Sequence, residues 1–225
     1  MGENIEISTK VIENQEIRFR CYKADSTKIA VLAHPYAFLG GSVDDINIIA
    51  LSKKINSKGF TVYVLDATTR RSALLSGKHD TMIFTLFVKY ITSLNHPEYL
   101  LLGGYSYGAR ISMHKSITLA IDKRISHVSY LFLAPYLGLG SSILSWSWGL
   151  GFESFSTDSK VLFVWPDNDE FTREGTFETT LAKLKNRCPE TTPLKLTDCS
   201  HMLSPSSRKI LLETVDKWLA SALNV

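Results

Sequence analysis

The sequence contains little cysteine, and its few cysteines are not spaced for metal binding. Among 225 residues there are three, Cys21, Cys188 and Cys199, and no two of them form a Cys-x-x-Cys pair. An odd number without that spacing argues against a disulfide framework and against a zinc site. It fits a reducing compartment, although one optional disulfide stays open. We therefore expect no bound metal.

The sequence also lacks long apolar runs and any concentration of charge of one sign. Its longest apolar run, residues 128–140, contains Pro135 and is too short to cross a bilayer. Residues 1–10 lack the pattern of a signal peptide, and Glu6 breaks the myristoylation pattern. The net charge is +3 and the 25 basic residues are scattered, which argues against a nucleic-acid partner. We predict a soluble, cytoplasmic protein without a transmembrane segment.

Composition and periodicity predict one α/β domain spanning residues 1–225. Hydrophobic residues make up 44% and charged residues 21% of the chain, as in globular proteins. Two alternating segments within residues 4–22 predict an antiparallel hairpin. Apolar strands then alternate with amphipathic helices, which predicts a mostly parallel sheet with helices on both faces. The predicted strands are 28–33, 61–65, 99–102, 127–133, 161–165 and 193–196. The predicted helices are 46–58, 80–94, 172–187 and 206–223, and a further helix follows the strand at 99–102 and ends at about residue 120.

Ser106 stands between glycines at the point where a buried strand runs into a helix. Residues 103–108 read Gly-Gly-Tyr-Ser-Tyr-Gly and follow two leucines. A tight turn of this kind exposes the serine, and the flanking glycines relieve crowding around it. A serine oxygen needs a nearby base to act as a nucleophile, so partners are required elsewhere. We interpret Ser106 as a candidate nucleophile, with a helix-capping role as the alternative.

Candidate partners for Ser106 follow two later strands. Asp167 and Asp169 come after the strand at 161–165, and His201 comes after the strand at 193–196. The chain order serine, aspartate, histidine is the one used by hydrolases with this strand–turn–helix motif. In open α/β sheets the carboxyl ends of the strands form the ligand site. We therefore expect His201 and one of these aspartates to lie beside Ser106.

From about Lys28 to the C-terminus the chain resembles the α/β-hydrolase family. Besides the serine motif, the resemblance rests on residues 34–41, His-Pro-Tyr-Ala-Phe-Leu-Gly-Gly. It implies the α/β-hydrolase fold and an oxyanion hole built from backbone N–H groups. The donors carried over are the N–H groups of Tyr36 and Tyr107, since Pro35 has none. We interpret His34 as a structural residue.

The resemblance also distinguishes the two aspartates. Family members often carry Gly-Asp-x-Asp-x-Phe at this position, and the second aspartate belongs to the catalytic triad. Residues 167–171 match that pattern, which assigns Asp169 to the triad and leaves Asp167 to turn formation. Pro166 replaces the usual glycine. Asp198 is too close to His201 in sequence to be the first choice.

Two further segments have open interpretations. Residues 66–72 lack the glycines of related loops, and Arg70 or Arg71 could form an ion pair there or recognise an anionic substrate group. Residues 138–160 are apolar and too short for a separate cap domain. They could form a small lid that lines an acyl pocket or touches a membrane surface, or they could pack on the core. The substrate-pocket candidates are Phe38, Trp146 and Trp148.

These residues predict a serine hydrolase of the carboxylesterase or thioesterase type. Ser106, His201 and Asp169 would cleave a small ester or thioester through an acyl-enzyme, without a cofactor. A transferase or a peptidase could use the same three residues. The alternative from a different class is a hydrolase-like fold that serves as a catalytically silent binding or scaffold protein.

Overall fold

In a computed structural model, which describes residues 4–67, 77–138 and 150–223, the strands form one eight-stranded sheet. The spatial order is β1-β2-β4-β3-β5-β6-β7-β8. The contacts β1–β2 and β2–β4 are antiparallel and all the others are parallel, so the predicted sheet with its antiparallel start is confirmed. The strands are β1 Ile5–Ile12, β2 Gln15–Tyr22, β3 Lys28–Ala33, β4 Thr61–Asp66, β5 Tyr99–Tyr105, β6 His127–Leu133, β7 Lys160–Asn168 and β8 Thr191–Ser200.

Helices cover both faces of the sheet, as predicted. On one face, the first and last helices pack through Ile48, Leu51 and Val215 against β3, β4 and β6. On the other face, helices that follow β4 and β7 pack through Phe84 and Phe177. The described helices are α1 Ile46–Asn56, α2 Gly77–Asn95, α3 Tyr107–Ser112, α4 Lys115–Ala120, α5 Glu174–Arg187 and α6 Pro205–Leu223.

The prediction of a single helix between β5 and about residue 120 is wrong, because the chain forms two short helices there. His114 separates them in an extended conformation, with φ −77° and ψ 141°. Its Nδ1 accepts a hydrogen bond from the Ser116 N–H at 3.2 Å, which caps α4. His114 also forms an isolated antiparallel bridge with Leu150. A residue that caps a new helix in this way cannot continue the preceding one.

The apolar segment at 138–160 is described only in part. Trp146 and Trp148 lie outside the described residues, as do Arg70 and Arg71 of the earlier loop. In the described part, Phe155 is fully buried and stacks on Tyr130 of β6 with ring centroids 4.2 Å apart. This part of the segment packs on the core. No helix in the described residues is both long and apolar enough to span a membrane.

The strand order opens a crevice at the carboxyl ends of β3 and β5. These neighbouring parallel strands send their following helices to opposite faces, since α1 packs on one core cluster and α3 on the other. Such a switch point is where open α/β sheets bind ligands. The loops after β3 and β5 carry Tyr36 and Ser106, and those after β7 and β8 carry Asp169 and His201.

Candidate active site

Ser106 occupies the sharp turn between β5 and α3 in a strained conformation. Its φ of 57° and ψ of −118° are unusual for a residue with a side chain. Three backbone hydrogen bonds hold it: its N–H donates to the Leu133 carbonyl, and its carbonyl accepts from Arg110 and Tyr136. The Ser106 hydroxyl makes no capping bond to α3. The helix-cap alternative therefore has no support in this geometry.

Gly104 and Gly108 let α3 lie directly against β3. A Cβ atom at position 108 would stand 2.1 Å from the Ala33 carbonyl oxygen, and one at position 104 would stand 2.4 Å from it. Because the obstacle is backbone rather than a flexible side chain, neither residue can be larger. The spacing Gly-x-Ser-x-Gly thus follows from helix–strand packing.

This packing predicts that Gly108→Ala is strongly destabilising. The added methyl group must push α3 away from β3, at a cost of about 3 kcal/mol in unfolding free energy. Gly175→Ala is the matched control, since Gly175 lies in α5 with open space around it. It should stabilise the protein by up to about 1 kcal/mol. Urea unfolding of both variants measures the difference, and equal effects would contradict the packing argument.

His201 links Ser106 to Asp169 through two hydrogen bonds. Its Nε2 lies 2.7 Å from Ser106 Oγ, and its Nδ1 lies 2.7 Å from Asp169 Oδ2. The imidazole is buried at 3% exposure and stacks on the Tyr105 ring. Since Nδ1 faces a carboxylate it carries the proton, which leaves Nε2 free to accept from the serine hydroxyl.

Asp169 is fixed by a turn in the loop between β7 and α5. Its Oδ1 accepts from the N–H groups of Phe171 and Thr172, both at 2.8 Å, so only Oδ2 is directed at the histidine. The Asp169 side chain is 1% exposed. The structure therefore brings together the three residues that the sequence analysis selected for the triad.

Asp167 has a different position. Its carboxylate accepts from the backbone N–H groups of Asp198 and Cys199 at 3.0 Å each, which ties β7 to the end of β8. These bonds, the one from Cys199 first, hold the pKa of the Asp167 carboxyl below its usual value. Pro166 fits here because β7 continues past β6, whose last paired residue is Leu133 opposite Val164. No partner on that side needs the missing N–H.

Three residues that the sequence analysis did not select hold the backbone around His201. The Tyr105 hydroxyl donates to the His201 carbonyl at 2.6 Å, and Glu170 accepts from the His201 N–H at 2.9 Å. Asn47 in α1 donates to the Met202 carbonyl at 3.1 Å. Tyr105 is next to Ser106 in sequence and Glu170 is next to Asp169, so both could have been chosen as candidates from their positions. Asn47 is 155 positions from its partner and gives no such signal.

The loop after β3 brings Tyr36 to the same site. The Tyr36 carbonyl accepts from the N–H groups of Leu39 and Gly41, both at 3.0 Å. A Cβ at Gly41 would stand 2.3 Å from the Pro35 carbonyl oxygen, so this turn requires glycine. Across the crevice, the N–H of Tyr107 opens α3 and has no acceptor within that helix. The rings of Tyr36 and Tyr107 contact each other with centroids 4.7 Å apart.

His34 stabilises this loop through hydrogen bonds at both nitrogens of its ring. Its Nε2 accepts from the Ala67 N–H at 3.0 Å, and its Nδ1 lies 2.5 Å from the Pro35 carbonyl oxygen. Nδ1 is therefore the donor and the ring is neutral. Burial lowers the pKa of His34, because the charged form would lose its hydration. This placement agrees with a structural role for His34.

The neutral state of His34 predicts an acid-sensitive fold. A histidine with a lower pKa in the folded chain binds protons more readily when unfolded, so acid favours unfolding. This contribution to stability is complete above about pH 6.5 and is lost as the pH falls below it. Urea unfolding across this range should show a smaller loss for His34→Gln than for the unaltered protein. His127→Gln, at an exposed position, is the control. Identical pH dependence in all three proteins would contradict the assignment.

A cavity of about 180 Å³ opens at Ser106. Apolar and aromatic side chains make up most of its described wall, in which Asp45 carries the one carboxylate. Phe38, a predicted pocket residue, is not among the lining residues and is 64% exposed. The lining residues are Pro35, Tyr36, Leu39, Gly40, Gly41, Asp45, Tyr105, Ser106, Tyr107, Tyr136, Phe171, His201 and Met202.

Comparison with known proteins identifies the fold. No family model matches the chain. A protein of unknown function from Agrobacterium tumefaciens, provisionally described as an alpha/beta hydrolase, superposes with a TM-score of 0.77 at 18% identity over 97% of both chains. An α/β serine hydrolase without a lid from Xanthomonas campestris superposes with a TM-score of 0.74 at 16% identity, over 98% of this chain and 96% of the Xanthomonas chain. Carboxyl esterase 2 from Tuber melanosporum superposes with a TM-score of 0.76 at 12% identity, over 99% of this chain and 88% of the esterase. The chain has the α/β-hydrolase fold.

Proposed function

We propose that this protein is a serine hydrolase of the α/β-hydrolase family that cleaves a small carboxylic ester or thioester. The observation that carries the proposal is the unbroken chain of two 2.7 Å hydrogen bonds from Ser106 through His201 to Asp169. A serine, a base and an orienting acid in that arrangement define an activated nucleophile. The strained turn at Ser106 supports the same conclusion, since such strain concentrates at functional sites.

The first half of the reaction forms an acyl-enzyme. Ser106 Oγ attacks the carbonyl carbon of the substrate while its proton passes to His201 Nε2. Asp169 stabilises the imidazolium and keeps its orientation. The bond between the carbonyl carbon and the leaving oxygen or sulfur then breaks, and His201 returns the proton to the departing alcohol or thiol. Water completes the cycle with His201 again as the base, and a carboxylic acid leaves.

The negative charge that forms on the carbonyl oxygen needs hydrogen-bond donors. We assign this role to the backbone N–H groups of Tyr36 and Tyr107, which approach the site from the ends of β3 and β5. A preorganised donor of this kind contributes about 3 kcal/mol to the transition state. The tight turn at Gly41 and the hydrogen bonds of His34 keep the Tyr36 N–H in position.

The cavity predicts a preference for short acyl groups. A volume of about 180 Å³ is below the range of about 300–1,000 Å³ that is typical of small-molecule sites. Acetyl to butanoyl esters should therefore give the highest kcat/KM, and octanoyl or longer esters should fall by about tenfold or more. Hydrolysis of a series of p-nitrophenyl esters measures the profile. A maximum at long chains would contradict the role of this cavity as the acyl site.

The catalytically silent scaffold gives the opposite result in that experiment. A binding protein with this fold would leave every ester intact while remaining folded. A peptidase would instead cleave amide substrates at rates comparable to esters. The same assays, run with a matching anilide series, separate the three functions.

A further inference from the structure

Strand β1 forms an unprotected edge of the sheet. Among residues 4–67, 77–138 and 150–223, only β2 pairs with it. Its eight residues contain neither proline nor glycine. Three of its apolar side chains are exposed, with Ile7 at 52%, Val11 at 75% and Ile5 at 40%. A long edge strand with exposed apolar side chains is a template for pairing with another strand.

The opposite edge of the sheet differs in this respect. Strand β8 contains Pro193, which has no N–H to offer a further strand. Its Lys195 forms an ion pair with Glu174 of α5. Proline is one of the residues that block edge pairing in natural sheets. Of the two sheet edges in the described residues, β1 is therefore the one whose backbone can offer every N–H to a partner.

The hydrogen bonds of the hairpin determine which backbone groups of β1 face outward. The Lys23 N–H donates to the Asn4 carbonyl at 3.1 Å, so the even-numbered residues of this segment face β2. Successive residues of an antiparallel strand face opposite sides. The N–H and C=O groups of the odd-numbered residues, from Ile5 to Val11, consequently point away from the sheet.

We propose that β1 pairs antiparallel with β1 of a second copy of this chain, so that two sheets become continuous. Pairing through the odd-numbered residues places Ile5 opposite Val11 of the second copy and Ile7 opposite Thr9. The exposed apolar side chains then cover one another on one face. The contact is isologous, as in most homodimers.

Charge complementarity selects this register. On the other face it places Glu6 opposite Lys10 of the second copy, and symmetry repeats the pair. Shifting the register by two residues in either direction places Glu6 opposite Ser8 or Ile12 and loses both ion pairs. Glu6 also contacts Lys23 of its own chain, which lies next to the end of β2. Opposite charges directly across strands stabilise pairing, and like charges destabilise it.

The unaltered protein provides the first test. Sedimentation velocity should show a concentration-dependent dimer. Amide hydrogen exchange should slow at Ile7 and Thr9 as the concentration rises, while the amides of exposed helix positions keep their rates. A protein that stays monomeric throughout, or a dimer in which these two amides exchange at the monomer rate, would overturn the proposal.

Charge exchange provides the second test and does not depend on activity. Lys10→Glu turns two attractive pairs into two repulsive ones, so the dimer dissociation constant should rise by about 30-fold. Glu6→Lys should have the same effect. Mixed together, these two variants should form a heterodimer, because each charge then meets its opposite. Lys185→Glu, an exposed position in α5, is the control of equal charge change. Dimers that persist in both single variants, or a mixture that stays monomeric although both variants melt cooperatively, would refute the register.

Discussion

Ser106→Ala should lower kcat for ester hydrolysis by about 10⁴-fold or more while leaving the fold intact. The hydroxyl oxygen that this variant removes lies 2.7 Å from His201 Nε2. It makes no cap bond to α3, so the helix loses nothing when it is removed. Steady-state kinetics on a short-chain ester, together with a thermal melt, measure both effects.

Ser57→Ala is the matched control for this prediction. Ser57 is an exposed serine at the end of α1, and its hydroxyl donates to the Lys54 carbonyl. Its loss should leave kcat unchanged. If Ser106→Ala retained more than about a tenth of the activity, the measured hydrolysis would come from another group or a contaminating enzyme.

Asp169→Asn should lower kcat by about 10⁴-fold through the tautomer of His201. The asparagine Oδ1 can keep its hydrogen bonds from Phe171 and Thr172, so its amide NH₂ takes the place of Oδ2 beside His201 Nδ1. Nδ1 must then accept rather than donate, and the proton moves to Nε2. A protonated Nε2 cannot take the hydrogen of Ser106. Kinetics at neutral pH measure the loss.

Asp167→Asn is the informative comparison, because it makes the same change two residues away. The Asp167 carboxylate accepts from the backbone N–H groups of Asp198 and Cys199 and from the Asn168 side-chain amide, and His201 is not among these partners. Its replacement should change kcat by less than about tenfold. If Asp167→Asn were the more damaging of the two, Asp169 would not be the orienting acid.

The local parts of the fold and site were predictable from short stretches of sequence. The turn at Ser106 requires glycine where α3 crosses β3, and the sequence of residues 104–108 shows both glycines. The choice of Asp169 rested on the family resemblance. The geometry that supports it is a turn closed by the N–H groups of Phe171 and Thr172. The central strands were also predictable, because a strand that is buried on both faces of the sheet is a nearly continuous run of apolar residues.

The remaining features depend on contacts between distant parts of the chain. The break at His114 involves a bridge to Leu150, which no local pattern shows. The bond from Asn47 to Met202 joins α1 to the histidine loop and requires the folded sheet. The wall of the cavity combines residues from several loops. Which side chain of a loop reaches the wall depends on the folded arrangement, and Leu39 lines the cavity while neighbouring Phe38 does not. Such choices are made by tertiary packing rather than by propensity.

Labelling of the purified protein with a fluorophosphonate tests the central claim most directly. The reagent modifies a serine only when a neighbouring base and oxyanion donors activate it. The unaltered protein should be modified at one site, and mass spectrometry of its peptides should place the adduct on Ser106. The Ser106→Ala variant should not react. A well-folded protein that stays unlabelled, or that is labelled at another serine, would contradict an assembled Ser106–His201–Asp169 site.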